Sequence, residues 1–199
     1  MAAELELKAV VPDPAALRRH LAAAGARPGF RGLLEDRRYD RDGVLAARDE
    51  VLRIRRFVHA DGQVEGELTW KGTTRRSSDG YKLREELSCR LAGGPDSPGA
   101  ILEALGYQVM QAIDRWVEMF ELGEAVLRVE WYPRMDVLLE VEGSPEAIER
   151  AIRATGLPRD GFTAEMLVDF VRRYDARGAR PAVLTVAGLG GDRPAWETA

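Results

Sequence analysis

Charged residues recur at every second position in one stretch of the chain after another. In ELELK, Glu4, Glu6 and Lys8 alternate with Leu5 and Leu7. Arg53 and Arg55 alternate with Leu52 and Ile54, Thr69 and Lys71 share a face in LTWKG, and Lys82, Arg84 and Glu86 share one in YKLREEL. Arg115 alternates with Asp114 and Trp116, Arg128 and Glu130 oppose Leu127, Val129 and Trp131, and Glu140 and Glu142 oppose Leu139 and Val141. In a strand, this period of two sends each set to its own face. Carboxylates at i, i+2 project in parallel and suit a hard divalent cation, Mg²⁺ or Mn²⁺, bound through oxygen. Arginine forks match phosphate oxygens, and lysines add point charges. The eight bases and six acids collected in this way leave a positive excess of two, which suits a polyphosphate. A metal bridging phosphate oxygens lowers the cost of attack by water or a hydroxyl.

Strands must carry these rows. The pattern predicts strands over 2–10, within 30–40, and over 50–58, 64–72, 81–91, 107–122, 125–133 and 135–143. Helices are predicted over 13–25, 98–105, 144–156 and 163–174, with Asp13 and Ser144 as caps, Pro14 and Pro145 at first positions, and Gly25 and Gly156 as stops. The opposite face of nearly every strand is Leu, Ile, Val or Trp, so the sheet buries that face under helices. An α+β fold follows, with the strands closing into an antiparallel barrel and the charge lining its inside. Small barrels normally fill their interior with apolar side chains, so a charged lumen calls for a ligand. Trp70, Trp116 and Trp131 fall opposite the charged positions and are read as packing residues. Tyr39 is placed in the inward register with Glu35 and Arg37. The loop TTRRSSDG (73–80), with Arg75 and Arg76, is read as solvated, and AGGPDSPG (92–99) as a linker.

The chain has 199 residues, a formal net charge of −4 and one cysteine, Cys89. The acidic balance excludes general nucleic-acid binding through counterion release. A lone cysteine, the absence of a basic leader and the shortness of the apolar runs fit a cytoplasmic protein with no membrane span. No His-based metal or nucleophile motif, phosphate-loop signature or nucleophile elbow is present. Residues 1–176 read as one domain, and the Gly-, Pro- and Ala-rich stretch 177–199 as a flexible tail. An exposed barrel edge would support a homodimer, which the sequence does not decide.

ELELK resembles the ExExK signature of the CYTH superfamily, the triphosphate tunnel metalloenzymes. Family-like elements LRIR, TWKG, REEL and LLEVEG follow in order, so the resemblance covers roughly residues 3–175. It implies an eight-stranded antiparallel barrel that binds a triphosphate-containing small molecule with Mg²⁺ or Mn²⁺. Glu4, Glu6, Glu130, Glu140 and Glu142 would be metal ligands, with Glu86 joining them at the metal or substrate end. Lys8 would contact phosphate or orient the nucleophile, with Arg53, Arg55 and Lys71 gripping phosphates at the catalytic centre and Arg84, Arg115 and Arg128 binding substrate. Three positions depart from the family pattern: Ile113 where a lysine is expected, Glu130 where Asp or Asn is common, and Arg37 where an acid would precede Tyr39 by two. The expected activity is metal-dependent hydrolysis of a triphosphate. The alternatives are a class IV-type adenylyl cyclase and a non-catalytic polyphosphate-binding module.

Overall fold

The computed structural model describes residues 3–76, 82–91, 96–178 and 180–197. Parts of the expected loop 73–80 and linker 92–99 lie outside the described residues, as do the side chains of Glu4 and Lys82. The strands are β1 (Ala3–Val10), β2 (Arg27–Asp40), β3 (Val51–His59), β4 (Val64–Lys71), β5 (Arg75–Arg76), β6 (Lys82–Leu91), β7 (Gln108–Leu122), β8 (Ala125–Trp131) and β9 (Leu138–Glu142). The helices are α1 (Pro14–Ala23), the single turn α2 (Val44–Ala47), α3 (Asp96–Ala104), α4 (Pro145–Thr155) and α5 (Leu167–Arg177). In spatial order the sheet runs β1-β9-β8-β7-β2-β3-β4-β6, and β6 returns to pair with β1. The result is a closed eight-stranded barrel, antiparallel throughout, with β5 on the outside against β6.

The apolar faces point outward, as the alternation requires. Leu7 and Ala9 of β1, Leu127, Val129 and Trp131 of β8, and Leu139 and Val141 of β9 form one core with Leu17 and Leu21 of α1 and Ile148 and Ile152 of α4. Each fully buried aliphatic side chain contributes about 1.5–3 kcal/mol, so this layer holds the helices to the barrel wall. Asp13 caps α1 by accepting from the Ala16 amide at 2.9 Å, and Ser144 caps α4 by accepting from Ala147 at 3.3 Å. Gly156 ends α4 at φ +74°, and a Cβ there would meet the His20 ring at 2.3 Å, so only glycine lets α1 and α4 approach this closely.

A second, smaller apolar cluster covers one end of the barrel. Phe170 of α5 packs there with Ile113, Tyr132, Met135 and Leu138. The last helix begins at Leu167, four residues later than the pattern predicts. The reason is that Thr163 pairs with Lys8 through two backbone hydrogen bonds of 2.8 Å and prolongs the β1 edge beyond β6. The stretch read as a flexible tail is also laid down on the barrel over residues 180–197. Val183 pairs with Arg134, Leu184 accepts from the Asp114 amide at 2.7 Å, and Ala195 donates to Pro133 at 3.0 Å. Its scattered apolar residues supply the reason: Leu189 is buried, Leu184 joins the Phe170 cluster, and Trp196 packs against the main core. No helix among the described residues is long and apolar enough to cross a membrane.

Candidate functional site

A cavity of about 930 Å³ occupies the barrel. Its lining contains eight cationic side chains and seven carboxylates among the described residues. Lys8, Arg53, Arg55, Lys71, Arg84, Arg115, Arg128, Glu6, Glu86, Glu130, Glu140 and Glu142 all reach it, each from the face that the alternation assigned. Trp131 is buried in the outer core, and Trp116 packs against it.

Three arginines converge on one carboxylate that the sequence reading did not select. Asp36, on β2, accepts from Arg55 Nε and Nη2 at 2.7 and 2.9 Å and from Arg115 Nη1 at 3.0 Å, while Arg53 lies at 3.8 Å. Burial works to raise the Asp36 pKa, but the guanidinium groups of Arg55, Arg115 and Arg53 hold it well below the usual carboxylate range. Arg115 also donates from Nε to Glu130 at 2.8 Å, and Tyr132 donates its hydroxyl to the other Glu130 oxygen at 2.6 Å. Burial and the Glu130 carboxylate push the Tyr132 pKa up. Glu130 therefore braces Arg115 and Tyr132; both its oxygens are engaged, and the residue is 2% exposed. This arrangement suits a positioning carboxylate better than the metal ligand expected from the sequence.

On the far wall, β1 and β9 set Glu6 directly opposite Glu142 and Lys8 opposite Glu140. Lys8 Nζ lies 2.8 Å from Glu6 and 2.5 Å from Glu140. Burial alone would lower the Lys8 pKa, yet the carboxylates of Glu140 and Glu6 hold the ammonium above its ordinary range. Arg128 bridges Glu140 and Glu142, with 2.8 Å to the latter. A third group lies on β4 and β6, where Lys71 and Glu86 are 2.6 Å apart. Arg84 is clamped by backbone carbonyls, donating to Gly72 O at 2.6 Å and to Asp49 O.

Glu6, Glu140 and Glu142 are three oxygen donors on adjacent strands facing a polar lumen, and that donor chemistry fits Mg²⁺ or Mn²⁺. Lys8 and Arg128 meanwhile hold these carboxylates, so no group of three or more metal-ligating side chains stands ready-made among the described residues.

The β2 register is the one that sequence reasoning placed wrongly. Asp36 and Arg38 line the cavity, whereas Arg37 turns away and pairs with Asp114 at 2.7 Å and with Glu35 at 3.7 Å. Tyr39, expected to face inward with those two, is not among the lining residues. The β2 ladder to β3 runs without a break from Asp36 to Tyr39, so the tyrosine, three residues after the acid, faces away from it; the slip in the ladder to β7 at this point falls on β7, where Met110 is the extra residue. Glu67 also lines the cavity, 3.3 Å from Arg53. Its place two residues before Thr69 and four before Lys71 in ELTWK was a signal that the alternation offered.

No family model matches the chain, and no curated protein matches it in sequence. Solved structures do match in fold. A Pyrococcus horikoshii protein, PH1819, is 20% identical with a TM-score of 0.69, over 85% of this chain and 98% of that one. A Vibrio parahaemolyticus protein assigned provisionally as an adenylate cyclase is 15% identical with a TM-score of 0.69, over 85% and 97% of the two chains. HpAC1 from Hippeastrum, a provisional adenylyl cyclase with a dominant triphosphatase activity, is 18% identical with a TM-score of 0.60, over 87% and 96%. The chain shares its barrel with these proteins, and the eight-stranded architecture implied by the CYTH resemblance is the one found.

Proposed function

We propose that the barrel is a triphosphate tunnel of CYTH type and that the protein hydrolyses a triphosphate with the help of Mg²⁺ or Mn²⁺. The observation that carries this reading is the lumen itself, a closed barrel lined, among the described residues, by eight cations and seven carboxylates. Arg53, Arg55 and Arg115 are already gathered around Asp36, so the arginine forks need little reorganisation to receive phosphoryl oxygens. Glu6, Glu140 and Glu142 would hold the metal, which when bound polarises phosphoryl oxygens. Lys8, between Glu6 and Glu140, stays protonated and contributes positive charge where negative charge builds up on the phosphoryl oxygens. Glu130 keeps Arg115 aimed into the lumen. A second reading, conversion of ATP to a cyclic nucleotide, draws on the provisional cyclase assignments among the fold neighbours.

Release of phosphate and pyrophosphate from inorganic triphosphate, ATP and thiamine triphosphate tests both readings, with either metal or a chelator, in the wild type and in Glu6→Gln. Metal-dependent phosphate release that is lost in the variant is the expected result. Pyrophosphate from ATP alone would replace hydrolysis by cyclisation, and binding with no turnover of any substrate would leave a binding module.

A further inference from the structure

The positive charge of the lumen is not evenly compensated. Lys8, Arg55, Arg115, Arg128 and Lys71 each have a carboxylate within 3.0 Å. Arg38 has no carboxylate within ion-pairing distance among the described residues, although it lines the same cavity. Its cross-strand neighbour on β3 is Arg53, one step beyond the Asp36 to Arg55 pair. Two like charges therefore stand directly opposite each other, an arrangement that is unfavourable unless something lies between them. The Nε atoms of both Arg38 and Arg53 are buried and lack a hydrogen-bond partner. Burial lowers the pKa of both, and the neighbouring Arg55 helps push Arg53 down to about 10. Two orphaned donors side by side on adjacent strands describe a place prepared for oxygen acceptors.

Position along the barrel gives this pair a meaning for specificity. Along β3 the lining runs Phe57, Arg55, Arg53, Val51, and along β7 it runs through Ile113 to Gln111. Ile113 touches the cluster around Phe170, and Gln111 is the β7 neighbour of Arg38. At their backbones Arg38 and Arg53 lie two residues, about 7 Å, further along extended strands than the paired Asp36 and Arg55, toward the strand ends where Val10 and Leu138 pack beside Phe170, while the Arg53 guanidinium reaches back to 3.8 Å from Asp36. We propose that Arg38, with Arg53, forms a second anion subsite at this end of the tunnel, and that it selects ligands whose anionic chain continues past the groups held at the Asp36 cluster. This rests on the reading of the barrel as a phosphate tunnel. The chemistry it recognises is a further phosphoryl group on a linear chain, in preference to a triphosphate that ends in an uncharged sugar.

The test is binding by calorimetry with chelator present, using inorganic triphosphate, inorganic tetraphosphate and ATP against the wild type, Arg38→Gln and Arg38→Lys. The wild type should bind tetraphosphate about tenfold more tightly than triphosphate, one charge-assisted contact being of that order. Arg38→Gln should remove that preference and leave ATP affinity within about threefold, and Arg38→Lys should restore part of it, since charge returns without the fork. The unliganded melting temperature of Arg38→Gln should be unchanged or higher, because the substitution relieves the repulsion with Arg53; a merely structural arginine would give a fall. Equal binding of the two inorganic chains by the wild type, or equal weakening of all three ligands in Arg38→Gln, overturns the subsite and leaves the tunnel reading standing. Failure of the wild type to bind any of the three, whether chelator or Mg²⁺ is present, overturns both.

Discussion

Replacing Asp36 by asparagine keeps the shape of the side chain and removes its charge. Arg55 at 2.7 and 2.9 Å, Arg115 at 3.0 Å and Arg53 at 3.8 Å would then face one another around a neutral amide. Breaking a buried ion pair by deleting one partner costs about 3–5 kcal/mol. The adjoining cavity of about 930 Å³ has room for water to solvate the arginines. The expected loss is therefore at the lower end, about 3 kcal/mol. For a chain of this size that corresponds to a fall of about 6–12 °C in Tm. Urea and thermal unfolding at neutral pH measure it directly. Inorganic triphosphate should raise the Tm of Asp36→Asn more than that of the wild type, because the ligand supplies the missing negative charge. The pH dependence has a definite sign. The folded carboxyl titrates below its unfolded value of about 3.9, so its stabilisation is complete above that value and is lost as pH falls through the folded pKa. The gap between wild type and variant should stay constant from about pH 5 to 8 and close only below about pH 4. A loss under about 1 kcal/mol would refute the reasoning, since it would mean that the three arginines do not depend on Asp36.

Other perturbations probe the rest of the molecule. Glu140→Gln should cut metal-dependent turnover by at least about a hundredfold, read as phosphate release against metal concentration. Lys8→Met should lower stability by leaving Glu6 and Glu140 without their shared cation; because the folded pKa of Lys8 is raised, the difference from wild type should persist up to about pH 10 and decline only at still higher pH. Ile152→Ala, at a position 2% exposed between α4 and the barrel wall, should cost about 2–5 kcal/mol in urea unfolding. Ending the chain after Gly178 should destabilise it by about 2–4 kcal/mol, through loss of the half-buried Leu184 and the buried Leu189, with Leu184→Ala reproducing part of the effect.

The barrel was legible wherever a strand carried charge on one face and carbon on the other. Leu127, Val129 and Trp131 against Arg128 and Glu130 leave one way to orient β8, and the fold adopts it. LEDRRYD offers no such asymmetry. Glu35 and Arg37 alternate with Asp36 and Arg38, both sets are charged, and Tyr39, in phase with Glu35 and Arg37, is an aromatic residue that either face of a strand accepts. The central acid of the site was missed for that reason. The anchoring of residues 180–197 was hidden for a different one. Its contacts come from single residues, Val183, Leu184, Leu189 and Trp196, spaced without helical or strand period among glycines and prolines. Composition averages such residues away. Likewise the pairing of Thr163 with Lys8 is a tertiary contact, and no local pattern announces that a predicted helix will yield its first turn to a strand edge.

The position of β1 in the ring has a kinetic consequence. Leu5 pairs with Leu83 on one side, and Glu6 pairs with Glu142 on the other. Of the strands of the barrel, the one that carries Glu6 and Lys8 is made first, yet both its partners are made much later, and Thr163 completes its edge later still. Closing loops of that length is slow compared with forming hairpins such as β3–β4 or β7–β8. Until closure, the row of charge on β1 remains in water, paired with nothing across the lumen. Partly folded chains would therefore lack the Glu6, Lys8 and Glu140 arrangement altogether, and the competence of the tunnel should appear in refolding as one late step coincident with the sealing of the ring.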